Sequence, residues 1–222
     1  MHISEYDFDV MKVIKEGFRR IEGVKQPFIL AFVLYITVAI VTQLVLGIFF
    51  PSPPPPATPN LLNQQIISIL SYPVLMPILT GIIMMAVKYA REEPVEVKSI
   101  FDYYHIVGHL ALASILIYIM TLIGFLLLII PGIYLSVAYV FTLPLIADKG
   151  LGVWDAMELS RKTVTKQWFK IAGVMGILSI LSILGFLALG IGLIWAIPLF
   201  FVTFYGLLYP MIFDEVDEER EM

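Results

Sequence analysis

The chain has 222 residues, of which 59% are hydrophobic and only 14% charged, against roughly 25% charged in an ordinary soluble domain. Too few polar residues remain to cover a water-facing surface, so the composition excludes a soluble globular domain and points to lipid as the main solvent. The absence of cysteine excludes disulfides, thiolate nucleophiles and sulfur-bound zinc or iron–sulfur centres, and the net charge of −4 resides largely in the terminal DEVDEEREM, which disfavours nucleic acid as a partner.

In chain order, residues 1–26 are polar and charged and lack the pattern of a cleaved secretory signal, so they read as a segment preceding a retained first span. Within it Val10, Ile14, Phe18 and Ile21 make one apolar stripe, with Lys12, Lys15, Arg19 and Arg20 on the other faces, the pattern of an interfacial helix. Uncharged runs of the length needed to cross hydrocarbon follow at Pro27 to Phe50 and Ile66 to Val87. Between them, PSPPPPATPN reads as a stiff extended linker. The run from Ile106 to Ala147 is about twice one span and is interrupted by Pro131-Gly132, and Ile171 to Phe213 repeats this with Gly190-Ile191-Gly192. Proline suits a first helical turn and glycine a turn, so each long run predicts a helical hairpin.

The segments that precede the second and third hairpins are VKSIFDYYHIVGHL, the weaker match, and the helix holding Val153, Trp154, Met157 and Val164 opposite Arg161, Lys162 and Lys166. The predicted fold is therefore all-α: six transmembrane helices as three hairpins, each preceded by an amphipathic helix, with a membrane domain over 27–213 and an acidic tail over 214–222. Hairpins two and three both close on Pro-x-x-x-Asp, at Pro144 to Asp148 and Pro210 to Asp214, which suggests an internal repeat. All 14 basic residues fall in four alternating segments, five, three, five and one, and none lies between. The positive-inside rule then places both termini in the cytoplasm, in a multi-pass inner-membrane protein.

The stretch IIPGIYLSVAYVFTLPLIADKGLGVWDAMELSRKTVTKQWFKI, from Ile129 to Ile171, carries Pro131-Gly132, Pro144, Asp148, then Ser160 in a basic helix closed by Trp168-Phe169. It resembles the signature of the glycerophosphoryl diester phosphodiesterase membrane-domain family and related bacterial membrane proteins. The family's name comes from proteins that add a soluble phosphodiesterase, and that catalytic domain has no counterpart in this sequence. The resemblance thus implies a membrane domain without enzymatic activity, one that assists lipid-linked processes at the cytoplasmic face.

Asp102, His105 and His109 are spaced to share one helix face, which is compatible with a metal or with an interfacial position for imidazoles beside Tyr103 and Tyr104. The second reading needs no further ligand, so neither metal nor cofactor is expected. Zinc-protease and nucleophile-elbow motifs are absent. Gly173, Gly176, Ser179, Ser182, Gly185 and Ala188 form a small-residue stripe that predicts close helix packing in span five. Pro73, Pro77, Pro144 and Pro198 fall inside apolar runs and predict bends. The expected function is non-enzymatic binding or organising of lipids, with Lys12, Lys15, Arg19, Arg20, Arg161, Lys162 and Lys166 toward headgroups and self-association open. The alternative is uncoupled passage of a small neutral or hydrophobic solute.

Overall fold

The computed structural model describes residues 6–51, 61–188 and 190–214. The linker beyond Pro51, His2 and the tail beyond Asp214 lie outside them. The described residues form helices joined by short turns: α1 Val10–Arg20, α2 Lys25–Phe49, α3 Leu61–Ala90, a 3₁₀ helix Val97–Ile106, α4 Val107–Leu127 and α5 Ile129–Ala138. There follow α6 Thr142–Lys149, α7 Val153–Lys166, α8 Trp168–Leu187, α9 Leu193–Phe201, a π-helical segment Val202–Leu208 and α10 Tyr209–Phe213. Among the described residues, six helical stretches are long and apolar enough to cross a membrane: Lys25–Phe49, Leu62–Ala90, Val97–Leu127, Ile129–Lys149, Trp168–Leu187 and Leu193–Phe213.

The two long uncharged runs divide where the turn residues lie. Leu128 is extended (φ −162°, ψ 154°) between α4 and α5, which places Pro131 in the first turn of α5. Across that break the helices nearly touch: a β-carbon on Gly132 would come within 2.4 Å of the Phe125 ring. At the other break Gly190 has φ +76°, a conformation that glycine adopts at no steric cost. Beside it, Gly185 and Gly192 approach so closely that a β-carbon on Gly192 would meet Gly185 Cα at 2.5 Å.

Spans alternate between outer and inner positions. Of the most apolar stretch in each, 6%, 22% and 17% is buried in spans one, three and five, against 44%, 44% and 72% in spans two, four and six. Span six is the centre of the molecule. Its π-helical segment is wedged against α3, where a β-carbon on Gly206 would lie 2.8 Å from Ala86 O. Phe141, from the break between α5 and α6, packs on Phe204 and Phe213 with ring centroids 5.4 and 5.6 Å away. Span one shows the opposite character, leaving Leu44, Ile48 and Phe49 exposed, as lipid-facing residues are.

The short segments that precede α2, α4 and α8 do not lie apart from the bundle; each packs on an inner span. α1 meets the π-helical segment, where a β-carbon on Gly17 would overlap Thr203 Oγ1 at 1.9 Å. The 3₁₀ helix lies on α3 so closely that a β-carbon on Gly81 would come 2.4 Å from the Ile100 backbone. α7 packs against α4, α5 and α6. Its Ser160 Oγ donates to Ala138 O at 2.8 Å and accepts from Phe141 N at 3.2 Å. Where α5 stops and α6 has not yet begun, carbonyls and amides lose their helical partners, and a buried backbone group without a partner is costly. Ser160 supplies both missing partners with one hydroxyl.

Two expectations change here. The buried side of α1 is Val13, Ile14, Gly17 and Ile21, while Met11 and Phe18 are exposed, so the stripe read from Val10, Ile14, Phe18 and Ile21 is rotated. Glycine carries no hydropathy, and Gly17 marks the contact face only because of its close approach to Thr203. In α8 the buried side is Ile171, Val174 and Leu178. Gly173 and Gly176 face open space, and of the three glycines in the small-residue stripe only Gly185 meets a neighbouring helix.

Candidate functional site

The charged segments adjoin the ends of the inner spans, and there Arg91, Asp148 and Asp214 meet. Arg91 follows α3, Asp148 belongs to α6 and Asp214 follows α10, so one residue comes from the end of each inner span. Arg91 donates to both oxygens of Asp148, from Nη1 at 2.7 Å and Nη2 at 2.8 Å. It also donates to both oxygens of Asp214, from Nε at 3.0 Å and Nη2 at 2.6 Å. A guanidinium presents five donors in a rigid planar fork, which suits it to hold two carboxylates at once. Lys149 Nζ lies 3.3 Å from Asp214 Oδ1, and Tyr209 OH donates to Asp148 Oδ2 at 2.9 Å. The Asp148 and then the Asp214 hydrogen bonds push Arg91 further above its ordinary value, so it is charged throughout the working range.

Two cations face two anions in this cluster, and its arginine donors are used on carboxylates. Such an arrangement holds helix ends together; it offers neither a free base nor an activated nucleophile. Asp148 and Pro144 were legible in the repeated Pro-x-x-x-Asp pattern. Arg91 was not, although it stands four residues after Val87, as each aspartate stands four after its proline. A reversed charge hides the correspondence.

The basic residues named from the sequence divide into two kinds. Arg19 and Arg20 both reach Glu16 Oε1 at 2.7 Å, and Arg161 and Lys162 approach Glu158 at 2.9 and 3.1 Å. Hydrogen bonds from Arg19 and Arg20 hold the Glu16 carboxyl below the usual range, and those from Arg161 and Lys162 bring Glu158 down to about 2. Both glutamates therefore stay ionised at any physiological pH and offset part of the positive charge. Lys12 and Lys15 are exposed and make no ion pair among the described residues. Lys166, also exposed, ends α7.

The other motif residues sit at packing positions. Trp168 Nε1 donates to Tyr134 O at 3.3 Å and its ring stacks on that of Tyr134, whose hydroxyl lies 2.7 Å from Thr165 Oγ1. Pro144 O accepts from Tyr209 at 3.5 Å. Pro144, Asp148 and Ser160 thus gather around Phe141 and Tyr209, whereas Pro131 and Gly132 belong to the distant turn and Trp168 to the start of α8. His105 Nδ1 contacts the carbonyl of Asp102 at 2.6 Å rather than its carboxylate. Among the described residues no three of His, Asp or Glu are placed to share a metal.

Each segment that precedes an outer span also keeps large apolar side chains exposed beside its charges: Phe18 in α1, Phe101 and Tyr104 in the 3₁₀ helix, Trp154 in α7 and Phe169 at the start of α8. Phe169 is 85% exposed, an exposure that water does not favour but a membrane interface does.

Six apolar helices of crossing length, with the charges gathered at their ends, are the features of a multi-pass membrane protein. Comparison with protein-family models, curated proteins and solved structures gives no match for the chain.

Proposed function

We propose that the chain is a non-enzymatic inner-membrane protein, with both termini cytoplasmic, that binds or organises lipids at the cytoplasmic face. Its six spans form three hairpins, each preceded by an amphipathic helix that docks on the inner span of another hairpin: α1 on span six, the 3₁₀ helix on span two, α7 on span four. The three units close into a ring, with Arg91, Asp148 and Asp214 at its hub. This reading agrees with the resemblance to the glycerophosphoryl diester phosphodiesterase membrane domains.

The observation that carries it is the exposed aromatic side chain beside lysine or arginine on each cytoplasmic segment. With their other faces buried in the bundle, these residues present an aromatic and basic rim at the depth where ring edges and headgroups meet. Each basic residue gains about 1 kcal/mol near an anionic leaflet. The pairing of Arg19, Arg20, Arg161 and Lys162 with glutamates tempers this gain and leaves Lys12 and Lys15 as its strongest sources.

Fluorescence quenching tests the proposal. With Trp168 and Trp195 replaced by Phe, Trp154 is the sole tryptophan. Brominated phosphatidylglycerol should quench it at least about twofold more strongly than brominated phosphatidylcholine. Arg161→Gln together with Lys162→Gln should reduce that preference, and adding Lys12→Gln and Lys15→Gln should erase it. Equal quenching by the two lipids in the parent protein would refute recognition of anionic lipid.

A further inference from the structure

Between α3, α4, α5 and the π-helical segment lies an open groove of about 420 Å³ whose lining contains no Asp, Glu, Lys, Arg or His. Seven of its eleven lining residues bear hydroxyls. Three already use their proton within the protein. Ser114 Oγ donates to Leu110 O at 2.8 Å, Ser136 Oγ to Ile133 O at 2.8 Å, and Tyr118 OH to Gln65 Oε1. Their oxygens remain available as acceptors.

The other four have no hydrogen-bond partner among the described residues. Tyr72, Tyr139 and Tyr205 line the groove without one, and Thr121 Oγ1 is buried without one. In hydrocarbon an unmet hydroxyl is unfavourable, so three tyrosine hydroxyls in one groove mark a place for a molecule that can hydrogen-bond, whereas Thr121 Oγ1 is covered by protein atoms and is one of five such threonine oxygens among the described residues. The remaining wall is aliphatic or thioether, including Met76 and Ile117.

From this lining we infer that the groove binds the headgroup of an uncharged lipid alcohol. Free donors and available acceptors side by side match a hydroxyl, which both gives and takes a hydrogen bond. A phosphate or ammonium headgroup would meet no charged side chain in the lining itself, Arg161 and Glu158 acting on Tyr139 only from outside it, and hydrocarbon surroundings penalise an unpaired charge strongly. The apolar wall favours a ligand that carries a hydrocarbon body over a water-soluble polyol, although glycerol presents the same hydroxyl chemistry. The volume falls at the lower end of small-molecule sites, enough for a glycerol headgroup and the first part of an acyl chain.

The test uses the full chain in phosphatidylcholine vesicles with a diazirine-bearing monoacylglycerol. The peptides spanning residues 107–127 and 129–149 should be labelled, and unlabelled monooleoylglycerol should compete. A diazirine-bearing phosphatidylglycerol should label them at background level. The triple variant Tyr72→Phe, Tyr139→Phe, Tyr205→Phe keeps shape while removing three donors, and should weaken labelling by about 10-fold or more. Ser179→Ala in α8, whose hydroxyl bonds to Met175 O outside the lining, should leave it unchanged. Equal labelling of these peptides by the charged probe would overturn the inference. Failure of monooleoylglycerol to compete would overturn it even if the triple variant did not fold. Competition by millimolar glycerol alone would transfer the site to a soluble polyol and overturn the lipid assignment.

Discussion

Ser160 shows how much can depend on one small residue in an apolar protein. Fully buried, it is bonded to the backbone on both sides of the break between α5 and α6. Ser160→Ala leaves Ala138 O and Phe141 N without their side-chain partner and should cost about 1–3 kcal/mol. Thermal unfolding in detergent, followed by helical circular dichroism, measures it. Ser160→Thr retains the hydroxyl and should lose less than alanine if the extra methyl is accommodated; an alanine variant as stable as the parent would show that the bonds are replaceable. The sequence pointed to Ser160 only through a resemblance between motifs, since nothing in hydropathy distinguishes a serine that bridges a helix break from one on a solvated face. Arg91 was illegible for a related reason: its partners lie 57 and 123 residues away, and no local period connects them.

Among the elements, the six spans were readable because membrane thickness sets a length and hydrocarbon excludes charge; both long runs divide near the proline and glycine that mark them. The orientation of the short helices was less legible. Hydropathy finds an apolar face, but α1 buries Val13 and Gly17 and leaves Phe18 outside, because close helix contact selects the smallest residue rather than the most apolar. This same principle gives a test where the 3₁₀ helix meets α3. Gly81 faces the Ile100 backbone, which cannot swing aside like a side chain, whereas Gly108 has nothing within 4 Å of its would-be β-carbon. Gly81→Val should therefore lower stability by several kcal/mol through overpacking. Gly108→Ala in α4 should be neutral or slightly stabilising, by up to about 1 kcal/mol, because alanine favours a helix over glycine. If the two variants unfolded at the same temperature, the close approach of the 3₁₀ helix to α3 would be wrong.

For the whole molecule, the ring proposal assigns the hub a definite energetic role. Arg91 is 26% exposed and Asp148 10%, so the pair is mostly withdrawn from water and the loss of one partner leaves the other poorly solvated. Arg91→Met should destabilise the protein by about 3 kcal/mol, whereas adding Asp148→Asn and Asp214→Asn removes the stranded charges and should recover part of the loss. Simple additivity of the three changes would mean that the hub carries no coupling between inner spans. The proposed threading can be tested independently, because the chain has no cysteine to interfere. The charges lie together at the ends of the inner spans, while Leu128 and Ile191 sit at the two breaks and are 67% and 60% exposed. If an even number of spans returns the chain to the cytoplasm after each hairpin, single cysteines at Leu128 and Ile191 should react with an impermeant maleimide from the periplasmic side of intact cells. Cysteines replacing the exposed Lys15 and Lys98 should react only after the membrane is opened. Leu128 labelling without Ile191 would mean that the final pair does not cross fully. Labelling of Lys15 or Lys98 in intact cells would reverse the orientation and place the aromatic and basic rim on the wrong leaflet for the proposed lipid role.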